Sequence, residues 1–158
     1  MKAATVSQLK KELNFRSRED LLELCLRLSK FKKENKELLT YLLFESGDEV
    51  AYIENVKQEV DELFEDINTK TWFYSKKSIR KIQRLVKKYI RYSGKKDTEV
   101  ELLMYFCFKL KNFSPSIKRN PAMQNLYDRQ VISINKTLQG LHEDLQYDYR
   151  LQMEEMGI

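Results

Sequence analysis

Residues that break helices are scarce in this chain. Only four Gly and two Pro residues interrupt its 158 positions, while apolar residues recur every three or four positions, the spacing that places them on one face of an α-helix. With 42% hydrophobic and 34% charged residues, the composition supports a folded core and disfavours disordered, collagen-like and proline-rich structures. We therefore expect an all-α protein.

The apolar spacing predicts six or seven helices. Ser17 with Asp20 three residues later forms a capping box that begins one of them, and Pro121 suits the first turn of the last one. Gly140 lies inside that last helix and predicts a kink or a break there. The predicted helices cover residues 5–13, 17–31, 36–46, 48–68, 75–92, 98–113 and 121–155.

Consecutive helices of this kind pair as αα-hairpins. We expect a single helical domain over residues 1–158, folded as a multi-helix bundle, with frayed ends at 1–16 and 152–158. A short α-solenoid is the alternative, because it is also built from helical pairs with buried faces.

Two features of the sequence indicate further core residues. Cys25 and Cys107 each stand between large apolar residues, which predicts buried, unreactive thiols and no disulfide framework. The segment 69–74 lacks a helical period and is β-branched and aromatic, so we expect a connector whose Trp72, Phe73 and Tyr74 fill the core. Ser75 would then cap the next helix.

The sequence has no apolar run long enough for a signal-peptide core or a membrane span. We expect a cytoplasmic protein that does not cross a membrane. Its cysteine usage agrees with a reducing compartment.

Motifs for catalysis are missing. The glycines are isolated from one another, so no phosphate-binding glycine loop is present. The single histidine, His142, has no second histidine for a usual metal site and reads as an exposed helical residue. Acidic pairs such as Glu62 with Asp66 read as a solvated helix face rather than a cation site. We expect no enzyme activity, no cofactor and no bound metal.

Charge is distributed unevenly along the chain. The net charge is +5 overall. Residues 48–66 contain eight acidic residues and one basic residue, whereas residues 70–96 contain eleven Lys and Arg residues and no acid. An acidic helix therefore precedes a strongly basic one.

On a helical wheel, the apolar seam of the basic helix lies opposite its charges. Seven basic residues fall within an arc of about 120°. Like charges at this spacing repel, so a face without any acid is unusual. The candidate polyanion-binding residues on this arc are Lys77, Arg80, Lys81, Arg84, Lys87, Lys88 and Arg91.

Three roles fit this face. The first is a non-enzymatic domain that binds nucleic-acid backbone, or another acidic polymer, without sequence specificity. The alternative is a protein-interaction or self-assembly module in which the basic face of residues 77–91 meets an acidic face, such as that of residues 54–66, on a second copy or on a partner protein. A solubilising surface explains the charges without any ligand.

Overall fold

The chain is all-α, as predicted. The computed structural model describes residues 1–158 and contains eight α-helices and no strand. The count exceeds the expected six or seven because the last predicted helix is divided in two. The helices are α1 (Val6–Asn14), α2 (Arg18–Phe31), α3 (Lys33–Thr40), α4 (Glu49–Glu65), α5 (Trp72–Ser93), α6 (Lys96–Lys111), α7 (Pro121–Leu138) and α8 (Glu143–Met156). A π-helical turn (Tyr41–Glu45) precedes α4, and a 3-10 turn (Ile117–Arg119) precedes α7.

The chain divides into two compact units, Met1–Phe44 and Glu45–Ile158. In the first unit, the predicted capping box at the start of α2 is confirmed, because Ser17 accepts from the Asp20 amide and Asp20 accepts from the Ser17 amide. Only Lys32 separates α2 from α3, and Asn35 donates a 2.8 Å side-chain hydrogen bond to the Leu28 carbonyl. The break between these helices is therefore one extended residue.

The helices of the first unit bury no side chain. None of the residues of α1, α2 or α3 is buried, although the apolar pattern of α2 predicts cover on several sides. Cys25 is exposed, so the prediction of a buried thiol at this position is wrong. The leucines on either side of Cys25 indicate an apolar helix, but they do not show that another helix covers it.

The second unit is built around α6. This helix packs against α4, α5 and α7, which is why it is apolar on most sides of its centre. Cys107 is fully buried there, as predicted, and burial raises the pKa of its thiol to about 12. The other buried residues of α6 are Thr98, Val100, Leu102, Leu103, Met104, Phe106 and Leu110.

The start of α5 differs from the prediction. The helix begins at Trp72, three residues before the expected cap, and Ser75 is buried in its first turn. The Ser75 hydroxyl lies within hydrogen-bond distance of the Asn68 and Thr71 carbonyls, at 3.1 and 3.2 Å, so it does not cap the helix. Phe73 and Tyr74 are exposed rather than in the core, and Trp72 is half-buried.

Two glycines end helices as the sequence indicates. Gly94 adopts a left-handed conformation, with φ of 66°, directly after α5, and this is a conformation that residues with a Cβ rarely adopt. Gly140 lies between α7 and α8, where His142 caps α8 by accepting from the Asp144 amide. The last predicted helix is therefore broken.

None of the helices combines the length with the apolar character that crossing a membrane requires.

Candidate nucleic-acid interface

The basic face of α5 is oriented by the core on its other side. Ser75, Ile79, Ile82 and Val86 are buried at steps of three and four residues, so the opposite side of the helix points away from the core. Six of the seven candidate residues are exposed and the seventh, Lys88, is half-buried. The six exposed residues are Lys77, Arg80, Lys81, Arg84, Lys87 and Arg91.

These six cations have no intramolecular partner. None of them forms an ion pair or a side-chain hydrogen bond within the chain. Lys88 differs, because its ammonium lies over the rings of Tyr89 and Tyr92, at 5.0 and 5.8 Å from the ring centroids. No carboxylate therefore contacts any of the six directly.

A groove of about 800 Å³ lies between α5 and α7. The α5 wall supplies four cations and the α7 wall supplies Arg129, while no carboxylate lines the groove. Both helices pack against α6, which holds the two walls in place. The cations of the α5 wall are Lys76, Lys77, Arg80 and Arg84.

Two of the five groove cations, Lys76 and Arg129, are not among the residues predicted from the sequence. Lys76 lies beside the predicted arc, at the edge of the apolar seam. Arg129 lies on a different helix, far outside the basic segment, and no sequence pattern indicates that α7 approaches α5. Only the packing of both helices on α6 brings it to the groove.

Gln130 is the most deeply buried residue of the groove lining. Its side chain is 3% exposed, and its amide nitrogen donates a 3.2 Å hydrogen bond to the Leu126 carbonyl. Its carbonyl oxygen Oε1 has no hydrogen-bond partner. Buried polar atoms are seldom left unpaired in proteins, and an ordered water is a common partner of such an atom.

The other side of the basic face borders α4. A smaller cavity of about 380 Å³ is lined by Lys81, Arg84 and Lys88 together with Glu59. The seven candidate residues therefore do not line a single site. Lys77, Arg80 and Arg84 line the large groove, Lys81 and Lys88 face α4, and Lys87 and Arg91 line neither cavity.

The carboxylates of the acidic helix are largely engaged within the second unit. Asp61 lies 2.8 Å from Lys109 of α6, and Glu54 lies 2.7 Å from Lys57. Glu59 accepts a 2.8 Å hydrogen bond from the hydroxyl of Tyr89. These partners leave much of the acidic face already paired inside the molecule.

The histidine and the acidic pair singled out in the sequence lie on helix surfaces. His142 is exposed and lies 3.4 Å from Asp144 at the start of α8. No group of three or more His, Cys, Asp and Glu side chains converges to hold a metal ion. Glu62, considered with Asp66 as an acidic pair, accepts a 3.4 Å hydrogen bond from Gln58 instead.

Comparison with known proteins gives no further information on this groove. No protein-family model matches the chain, and searches of curated proteins and of solved structures give no match either.

Proposed function

We propose that the protein is a non-enzymatic domain that binds nucleic-acid backbone through the groove between α5 and α7 and the adjoining basic face of α5. One observation carries this proposal: five cations from two helices line the groove and no carboxylate is present to neutralise them. A surface that serves only solubility mixes charges of both signs.

The physical basis of binding is the density of charge on a nucleic acid. Each phosphate that meets a Lys or Arg side chain releases condensed counterions, which favours association and makes it weaken as salt rises. From Lys77 to Arg91 the face extends roughly 21 Å along the helix. Contacts with phosphates position the nucleic acid, but they do not distinguish one base sequence from another.

The test measures binding of the full chain to labelled DNA and RNA, both single-stranded and double-stranded, over a salt series. We expect binding at low ionic strength that declines linearly in a plot of log affinity against log salt. Charge reversal in the groove, Arg80→Glu with Arg84→Glu, should reduce both the affinity and the slope. Two groove contacts correspond to a slope change of roughly 1.4 for single strands and 1.8 for duplexes.

The matched control reverses two cations outside the groove, Lys118→Glu with Lys136→Glu. Both residues are exposed and neither lines the groove. Because two cations are reversed in each double variant, both variants change the net charge by the same amount. Equal losses in the two double variants would contradict the proposal, because the effect would then come from net charge alone. Absence of binding at low salt would contradict it directly.

Homotypic pairing of the acidic face with the basic face has weaker support. Glu54, Glu59 and Asp61 already contact partners within the second unit. Light scattering at low and high salt tests this role, and a monomer under both conditions would remove it.

A further inference from the structure

An exposed aromatic side chain lies on the lining of the basic groove. Phe73 is 71% exposed and lines the groove beside Lys76 and Lys77. Its ring packs edge-on against the ring of Tyr74, with centroids 5.4 Å apart and planes at 79°, and Tyr74 is also exposed. An uncovered aromatic ring and five cations therefore share one groove.

The position of Phe73 is set by the first turn of α5. Trp72 lies against Phe113, with ring centroids 6.4 Å apart, and Ser75 is buried. These two anchors fix the rotation of the helix at its start. Phe73, one residue after Trp72, is consequently turned about 100° away from that contact, and it lies on the groove wall.

We propose that the groove binds single-stranded rather than double-stranded nucleic acid, with one unpaired base stacked on Phe73. This inference rests on the proposed function. In a duplex the faces of the bases are covered by their neighbours, whereas a single strand offers them to aromatic side chains while its phosphates follow a basic groove. The combination of cations and an exposed ring in one groove matches the second ligand.

The polar residues of the groove agree with a ligand that has bases or sugars. Gln83, Asn125 and Gln130 contribute side-chain amides to the lining. A side-chain amide offers both donors and acceptors of hydrogen bonds. Bases and sugars also carry both, whereas a chain of ionised phosphates carries acceptors only. A nucleotide chain therefore matches the amides of the lining better than polyphosphate does.

The experiment compares a single-stranded oligonucleotide with its duplex at one low salt concentration. Wild-type protein should bind the single strand more tightly. Phe73→Ala should weaken single-strand binding roughly 5- to 150-fold, the range that loss of one stacked base produces, and leave duplex binding unchanged. Phe73→Trp should retain tight binding, and Phe73→Leu, which is apolar without a ring, should lose it.

Tyr147→Ala is the matched control. Tyr147 is 65% exposed on α8 in the same unit and does not line the groove, so its removal should not change binding of either ligand. Trp72 gives a second readout, because it is the only tryptophan and adjoins Phe73 in the sequence. Its fluorescence should change when a single strand binds and not when polyphosphate is added.

The outcomes separate the two proposals. Equal affinity for single strand and duplex, unaffected by Phe73→Ala, would overturn the single-strand inference and leave backbone binding intact. Failure to bind either form at low salt would overturn backbone binding as well. Equally tight binding of poly-glutamate, insensitive to Phe73→Ala, would overturn the inference in favour of an acidic protein ligand.

Discussion

The hydroxyl of Tyr105 on α6 donates a 2.6 Å hydrogen bond to Oδ1 of Asp61 on α4. The same oxygen lies 2.8 Å from Nζ of Lys109. Burial alone would raise the pKa of Asp61, but the hydrogen bonds from Lys109 and Tyr105 outweigh it and hold that pKa below its ordinary value of 3.8. An acidic residue of α4 therefore joins that helix to the central helix of its unit.

Loss of the Tyr105 hydroxyl should destabilise the protein. We expect Tyr105→Phe to lower the free energy of unfolding at neutral pH by about 1 kcal/mol, the usual net value of one intramolecular hydrogen bond. Urea unfolding followed by circular dichroism measures the change. Tyr147→Phe is the control, because the exposed Tyr147 forms no side-chain hydrogen bond, and a loss of stability in that variant would contradict the assignment.

The Asp61 contacts should also make stability depend on pH. Since the pKa of Asp61 is lower in the folded chain than its ordinary value of 3.8, its contribution is present above that value and disappears as pH falls through the lowered folded value. The stability difference between wild type and Asp61→Asn should therefore shrink below about pH 4. Unfolding of both proteins over a pH series measures it, and a difference that stays constant down to about pH 2 would contradict the assignment.

Substitution of Arg129 on α7 tests whether the ligand occupies the groove or lies along α5 alone. If the ligand occupies the groove, Arg129→Glu on α7 should weaken oligonucleotide binding about as much as Arg80→Glu on α5, whereas Lys87→Glu should have a smaller effect. Fluorescence anisotropy at fixed salt gives the three affinities. The reverse order, with Lys87 important and Arg129 neutral, would place the ligand along α5 alone.

The contrast between Arg80 and Arg129 shows what the sequence can predict about this site. The direction in which Arg80 points follows from periodicity, because Ile79 and Ile82 must face the core. That Arg129 lies across from it follows from the packing of α5 and α7 on α6, which no local pattern encodes. The outward cations of the α5 wall can therefore be predicted from the sequence, whereas the α7 wall cannot.

The fold was predictable where helix boundaries depend on local chemistry. The capping box at Ser17, the proline at the start of α7 and the left-handed Gly94 each act through their own neighbours. The predicted cap at Ser75 is wrong because serine is also accommodated inside a helix when its hydroxyl bonds to a backbone carbonyl of the preceding turn. The predicted burial of Cys25 is wrong because an apolar surrounding in sequence does not guarantee a covering element in space.

The two thiols should differ sharply in reactivity. Cys107 is fully buried and its pKa is raised to about 12 by burial, whereas Cys25 is exposed. Because only the thiolate reacts readily, a disulfide reagent should modify one thiol per native chain at neutral pH and two after denaturation. Cys25→Ser should abolish the fast reaction. A fast second reaction in the native state would show that the centre of α6 opens readily.

Residues 45–158 should fold and bind without residues 1–44. Apart from Tyr41, every buried apolar side chain lies in this second unit, so the hydrophobic contribution to folding is concentrated there. Both groove walls, Phe73 and Gln130 also belong to it. We expect a protein consisting of residues 45–158 to keep a cooperative thermal transition and to bind single-stranded oligonucleotide with the affinity of the full chain.

Residues 1–44 alone, whose helices bury no side chain, should show little helix by circular dichroism because short isolated helices are marginal in water. Loss of cooperative unfolding in the 45–158 protein would show that the first unit stabilises the second, and a loss of oligonucleotide affinity with folding intact would show that the ligand also contacts residues 1–44.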